Sequence, residues 1–424
     1  MRRPTIFVLT LWVTLLSAAA ARAQQAAEPV RLADLLAEAE RNHPSLQAET
    51  RLIEAKRARI PQARALPDPQ LSIGYAGDPW PFKTQAGDPS SSRQFGVMQE
   101  FPYPGKRELR GKIAAKDADA QKWNYEAARR QVRAQVEIAY YELWAMDKAL
   151  DITEKNKDLL EKLARIAEEK YKVGKGLQAD VLRAQVEVTR VLQRLTVLRQ
   201  RRRTFEAALN SLLVRPPESP IGPLAEVNQS VFAYSLDELL RKAVENFPEI
   251  RRQQDLIEQS QLAVSLAKKN YYPDFSVAWD YQNRPNLPEM YGLRFTVNLP
   301  VFYKSKQRQA VKEAAAGLAA ARYERESLRT ALLFQVKEQY LTARASEELL
   351  TLYSKGIVPQ SALALESSLV AYQVGALDFL NLVTNFTIVL DYEVNYYEEL
   401  ASYQKALARL EEITGLELTE VRKP

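Results

Sequence analysis

The sequence predicts a mainly helical, exported chain that also carries four membrane β-strands. Three observations predict it. A unit of about 200 residues occurs twice. Each copy holds a helical stretch of more than about 60 residues with almost no Gly or Pro. Each copy also holds two short runs in which apolar and polar residues alternate.

Composition bounds the chemistry. The 424 residues include 14 Gly, one His and no Cys. Without Cys there is no disulfide, thiolate nucleophile or Cys-ligated metal. A single His leaves imidazole acid–base chemistry without a basis. Gly stands at half its usual share of roughly 7%, which favours long elements over tight turns. The formal net charge is +6, but Arg2, Arg3 and Arg22 lie in the first 23 residues, which hold no acid, so the remainder carries +3. A basic surface for nucleic acid is not indicated, and Arg201-Arg202-Arg203 reads as a solvated helix face.

Residues 1–23 read as a secretory signal: a basic start, an apolar run Ile6–Leu16, and Ala21-Arg22-Ala23 before Gln24. The run is too short to span a bilayer as a helix. Gln24 is not Cys, so a lipid anchor is not expected.

The first repeat, 24–213, opens with a helical stretch over 31–66. A strand hairpin follows at about 69–101, a long helix at about 104–172, a tip turn, and a return helix at about 178–213. From Lys106 to Tyr171 there is no Pro and only Gly111. That run would extend roughly 100 Å as one helix. Val132, Val136, Tyr140 and Leu143, then Leu159, Leu163 and Ile166, step by three and four. In the return helix one seam runs Val181, Val188, Leu195 and Leu209, interrupted by Arg202; another runs Val191, Leu198, Phe205 and Leu212. This is coiled-coil-type packing.

Residues 214–234, with Pro216, Pro217, Pro220 and Pro223, read as a linker. The second repeat, 235–415, restates the first. Leu32 through His43-Pro44 reads like Leu236 through Phe247-Pro248, at an offset of 204 that persists to Pro69-Gln70-Leu71 and Pro273-Asp274-Phe275. Phe101-Pro102 matches Leu299-Pro300, and Tyr171-Lys172-Val173-Gly174 matches Tyr372-Gln373-Val374-Gly375. Its helical stretch covers 235–271, its hairpin about 273–299, its long helix about 304–372 and its return helix about 378–414, with a tail at 416–424. Gly356 and Pro359 predict a kink or short break in the long helix.

The strands are the most informative feature. Leu71, Ile73 and Tyr75 alternate with Ser72, Gly74 and Ala76. Phe275, Val277, Trp279 and Tyr281 alternate with Ser276, Ala278, Asp280 and Gln282. Tyr291 to Leu299 alternates in the same way, with Arg294 and Asn298 on the polar side. The run with Phe95, Val97 and Phe101 is noisier because of Gln99. A half-buried soluble sheet alternates identically. Runs of about 8–11 residues with aromatics toward the ends (Trp80, Phe82, Tyr291) fit transmembrane strands. Export, and the polar side chains Asp280, Arg294 and Asn298, fit a water-filled lumen. Four strands cannot close a barrel and open edges do not occur in lipid, so the membrane reading demands several copies; three would give twelve strands.

With the duplication, a hairpin and a very long helix per half, and the two Tyr-x-Val-Gly turns, the chain resembles the TolC family of outer-membrane factors. The resemblance covers essentially the whole mature chain. Leu66-Pro67-Asp68-Pro69, Gln99 through Arg107, and Gly356-Ile357-Val358-Pro359-Gln360 resemble the CzcC/CusC-like branch associated with heavy-metal efflux. The resemblance implies a homotrimer, with a trimeric coiled-coil α-barrel in the periplasm and a 12-stranded transmembrane β-barrel in the outer membrane of a Gram-negative bacterium, among its lipid. It implies a passive exit duct of a tripartite pump, meeting a periplasmic membrane-fusion adaptor and an inner-membrane RND-type or other transporter. Separately, four Met and one His leave no soft-ligand relay, and no Ser/His/Asp set, phosphate loop or paired catalytic carboxylate is evident, so no enzyme activity, cofactor or resident metal is expected, and an exported chain is not expected to meet nucleic acid. The tips Tyr171, Val173, Gly174 and Tyr372, Val374, Gly375 would meet the adaptor. Asp180, Asp378 and Asn381 are candidates for a polar gate that three-fold symmetry would turn into rings; a helix-start Asp favoured by the helix dipole is the plainer account.

Other readings are weaker. Glu40-Arg41-Asn42-His43 has the Glu-x-x-His spacing of a di-iron bundle, which needs a second such motif; Phe247 stands at the matching place. A periplasmic structural or adaptor coiled coil is the alternative class, and drug efflux or type I protein secretion the alternative cargo. Substrate choice in such systems lies with the inner-membrane partner.

Overall fold

The computed structural model describes residues 29–78 and 83–418; the signal segment 1–23, Trp80, Phe82 and residues 419–424 of the tail lie outside the described residues. The chain is mainly helical with one four-stranded antiparallel sheet. In order, the elements are α1 (Leu32–Asn42), α2 (Pro44–Arg64), β1 (Gln70–Ala76), β2 (Ser92–Phe101), α3 (Lys106–Lys172) and α4 (Gln178–Leu212). The second repeat gives α5 (Leu236–Asn246), α6 (Pro248–Lys269), β3 (Asp274–Asn283), β4 (Met290–Asn298), α7 (Gln307–Leu352), a π-helical turn (Tyr353–Ile357), α8 (Val358–Gln373) and α9 (Phe379–Thr414). Among the described residues no helix is long and apolar enough to cross a membrane.

The structure departs from the sequence reading in two respects, each for a local reason. The stretches 31–66 and 235–271 are two helices each, broken at His43 and Phe247, whose ψ values are 123° and 121°. Each precedes a proline, whose ring disfavours the α conformation in the residue before it. The long helix of the second repeat is not interrupted at Pro359. It loosens into one π turn, in which the Val358 amide bonds back to the Tyr353 carbonyl. The wider turn seats a residue that has no N–H and whose ring would press on the preceding turn. The linker segment 214–234 is strapped to the helices beside it. Val30 donates to Pro223 O at 2.9 Å, Tyr403 Oη to Ser230 O at 2.7 Å and Gln404 Nε2 to Asn228 O at 2.7 Å, while Phe232 and Ile221 are buried.

The chain forms two compact units, and each draws on both repeats. One comprises residues 45–128 and 244–334. It contains the sheet, in the order β1-β2-β3-β4, so β1 and β4 are its edges. α2, α6 and the first parts of α3 and α7 belong to it. Lys116 Nζ lies 3.0 Å from Asp255 and 2.5 Å from Glu258, and Trp123 Nε1 donates to Asp255 at 3.0 Å.

The other unit comprises residues 29–44, 129–243 and 335–418. Its core joins α3, α4, α8 and α9 through Leu160, Leu163, Val191, Leu195, Leu198, Phe379, Leu382 and Phe386. These include the seam positions expected of a coiled coil, with Val181, Val188 and Phe205 partly buried beside them. Arg202, which interrupts one seam, reaches Asp147 at 2.5 Å and Glu206 at 3.0 Å, so its charge is met within the packed layer. Glu40 accepts from Arg133 at 3.0 Å.

Candidate functional site

The sheet is two-faced because strand side chains alternate and the register keeps parity across all four strands. Val97 faces Trp279 and Leu71 on its two neighbours, and Trp279 faces Leu293. This odd-numbered face is apolar and open: Leu71, Ile73, Leu293 and Phe295 are 64–79% exposed. Contiguous exposed apolar surface on this scale marks contact with lipid or another protein. Aromatics stand at both ends of the face. Tyr281 and Tyr291 lie 5.4 Å apart at the hairpin end, and Phe101 and Phe275 stack at 5.8 Å at the helix end.

The even-numbered face is polar. Asp280, Arg294 and Asn298 all lie on it, as their spacing requires. The Asp280 carboxylate stands 3.4 Å from Arg294 Nη2. Gly96 makes room for that carboxylate: a Cβ there would sit 2.6 Å from both Asp280 Oδ1 and Ser72 Oγ.

At the helix end the sheet is pinned by a lysine. Lys106 is buried, and its Nζ lies 2.8 Å from Asp274 Oδ1 and 3.0 Å from Tyr272 O. The same Asp274 oxygen accepts from the Tyr103 amide at 2.6 Å. One carboxylate thus fixes the start of α3 to the start of β3. Its partner Asp274 stands 168 residues away and has no local signal in the sequence.

The two tips are built alike. Gly174 and Gly375 have φ of 71° and 82°. Gly174 N donates to Tyr171 O and Lys175 N to Lys170 O; Gly375 N donates to Tyr372 O and Ala376 N to Ala371 O. Both are Schellman ends, in which a left-handed residue closes the last helical carbonyls and Gly carries no steric cost. Val173 and Val374 project outward, 66% and 75% exposed, and Tyr171 is 46% exposed. Tyr372 differs: it is buried, 5.5 Å from the Phe379 ring, with Lys170 Nζ 4.1 Å above it. Its side chain is unavailable to a partner, and burial pushes its pKa up, with the nearby charge of Asp180 adding to this.

Of the gate candidates, Asp378 is the N-cap of α9, and its carboxylate accepts from the Asn381 amide at 2.8 Å. Asp180 lies in the first turn of α4, half-buried, where a negative charge suits the helix dipole.

A cavity of about 210 Å³ between α3 and α9 was not anticipated. Arg129, Arg130 and Arg133 line it together with Glu137, Glu411, Glu412 and Glu417. Glu137 is 2% exposed. Burial, with help from Glu411 and against the pull of Arg133, pushes its carboxyl up to about 8.

The sequence and the fold resemble known proteins. Residues 35–214 match the family model described as outer membrane efflux protein. The cobalt-zinc-cadmium resistance protein CzcC of Cupriavidus metallidurans is 21% identical over 396 residues, which cover 92% of this chain and 91% of CzcC. The structure resembles that of CusC with a TM-score of 0.79 at 14% identity, covering 90% of this chain and 91% of CusC. It resembles the open state of the Neisseria gonorrhoeae outer membrane channel MtrE with a TM-score of 0.76 at 17% identity, covering 93% and 91%.

Proposed function

We propose that this chain is an outer-membrane efflux channel with a periplasmic extension, a reading supported by its likeness to the outer membrane efflux proteins, to CzcC and to CusC, and that three copies close one 12-stranded barrel over one coiled-coil tunnel. The observation that carries this is the sheet: four strands, an open apolar face and two unpaired edges, β1 and β4. In lipid such edges must be paired.

The duplication supplies the register of closure. Within one chain Gln99 faces Val277 and Met98 faces Ala278. Carried through the repeat, β2 becomes β4 and β3 becomes β1. Val297 of one copy would then face Ile73 of the next, and Thr296 would face Gly74. Apolar meets apolar and the polar face continues, so the inferred register preserves both faces. Asp280, Arg294 and Asn298 would line the lumen.

The chain has no Cys, so Ile73→Cys with Val297→Cys tests this directly. Oxidation should yield covalent dimers and trimers in denaturing gels. Ile73→Cys with Phe295→Cys, displaced by two residues, should cross-link far less, because diagonal neighbours stand about 7–8 Å apart. Intermolecular product only from the displaced pair would refute the register, and none from either would refute the closure.

The tips, through Tyr171, Val173, Gly174, Val374 and Gly375, would meet a periplasmic adaptor that couples the channel to an inner-membrane transporter. Heavy-metal cations are the proposed cargo, supported by the relation to CzcC. The channel would pass them without a resident site, and Asp180, Asp378 and Asn381 would form its acidic constriction.

A further inference from the structure

The apolar face of the sheet runs, at its helix end, into a groove of about 630 Å³. One wall is aromatic: Phe101 and Phe275, stacked on the same open face as Leu71 and Leu293. The other wall is basic: Arg64 from the end of α2, and Arg107 and Lys112 from the first turns of α3. Arg107 is positioned by the backbone. Arg107 Nε donates to the Arg64 carbonyl at 2.7 Å. The Arg64 side chain lies across α3 at Gly111, where a Cβ would approach it to 2.3 Å. Gly111 is the only glycine of α3, and this crossing accounts for it. Glu108 is the one carboxylate lining the groove, 2.6 Å from Lys112. Beside the groove, Lys269 Nζ stands 5.4 Å from the Tyr103 ring and 5.8 Å from the Tyr272 ring. The opposite rim of the sheet is built the other way round: Tyr281 and Tyr291 both donate to the Glu289 carboxylate, at 2.6 and 3.1 Å.

We propose that this groove binds the phosphate of an anionic phospholipid, with the acyl chains lying along the apolar face over Phe101 and Phe275. The proposal rests on the reading that the sheet spans the outer membrane, and it names a lipid partner for one rim. A guanidinium pair offers planar forks suited to phosphate oxygens. Basic clusters beside membrane-embedded surface recognise lipid headgroups, and aromatic side chains hold the interfacial level. A soluble phosphate would use only the basic wall, whereas a phospholipid would use both the basic wall and the apolar face onto which the groove opens.

Native mass spectrometry of the detergent-solubilised protein tests this, with phosphatidylglycerol, phosphatidylcholine or inorganic phosphate added in turn. Wild type should retain phosphatidylglycerol over phosphatidylcholine, and millimolar phosphate should not displace it. Arg64→Gln with Arg107→Gln should lower phosphatidylglycerol retention about tenfold or more, the loss expected of two charge-assisted contacts, and leave phosphatidylcholine retention unchanged. Gly111→Leu should weaken retention with both arginines present, because it lifts Arg64 off α3. Equal retention by wild type and the double variant overturns the proposal, and so does displacement by free phosphate. Insertion of both proteins into bilayers is scored separately. Failure to insert would sink the membrane reading, whereas insertion with unchanged lipid retention sinks this proposal alone.

Discussion

Glu137→Gln should remove a pH dependence of stability that the wild type owes to one buried carboxyl. Glu137 is 2% exposed and faces Arg129, Arg130, Arg133, Glu411, Glu412 and Glu417 across one cavity. Arg133, the cation that opposes this shift, is also bound by Glu40 at 3.0 Å. The native pKa of about 8 stands against an ordinary value of 4.5. The folded state therefore holds the proton more tightly than the unfolded state. This contribution to stability is fully present below pH 4.5 and is lost as pH rises through about 8. At about 1.4 kcal/mol per pH unit, the loss reaches about 4 kcal/mol by pH 7.5. Gln keeps the size of the neutral acid and has no proton to lose. Thermal or denaturant unfolding of both proteins in one detergent, from pH 4 to 9, isolates the effect, because groups common to both cancel in the difference. The variant should gain on the wild type steadily between pH 4.5 and 8 and hold a constant advantage above. A difference that stays flat, or that favours the wild type with rising pH, would refute the assignment.

Four further substitutions test other parts of the structure. Val214 closes the end of α4 with φ of 59°, where the matching residue after α9 is Gly415 at 67°. Val214→Gly should stabilise by about 1 kcal/mol, the left-handed strain relieved less the added freedom of Gly, measured by equilibrium unfolding. Lys106→Met leaves the Asp274 carboxylate without its cation and should cost about 3 kcal/mol or more, read as lost yield of folded protein in the outer-membrane fraction. Asp180→Asn and Asp378→Asn remove carboxylates while Asn still caps α9; single-channel conductance and block by divalent cations should both change, and unchanged traces in both variants would end the gate proposal.

Long-period features were legible because they depend on composition over many residues. The absence of Pro from 106 to 171 gives α3, and strict alternation gives β3 and β4 with their two faces. Breaks set by one residue were less visible. His43 and Phe247 end their helices only because a proline follows each, and the π turn before Pro359 is one of several ways to seat that ring. Contacts between distant residues left no trace at all. Asp274 reads as the start of a strand, and nothing near it points to Lys106. Glu137 follows the seam residue Val136 and looks like an ordinary solvated position; its burial depends on how α9 ends, at Glu411 and Gly415.

The π turn has a consequence for the duplication itself. α3 spans 67 residues, and α7, the π turn and α8 together span the same number, ending at equivalent Gly turns. A turn that takes one extra residue advances the phase of everything after it by about 100°. Two helices equal in length and matched in sequence therefore arrive at their tips with different sides turned inward. Tyr171 and Tyr372, identical in the repeat, end up one exposed and one buried. In the proposed trimer such pairs would give two kinds of tip, and a partner that touched all of them would have to read two different surfaces.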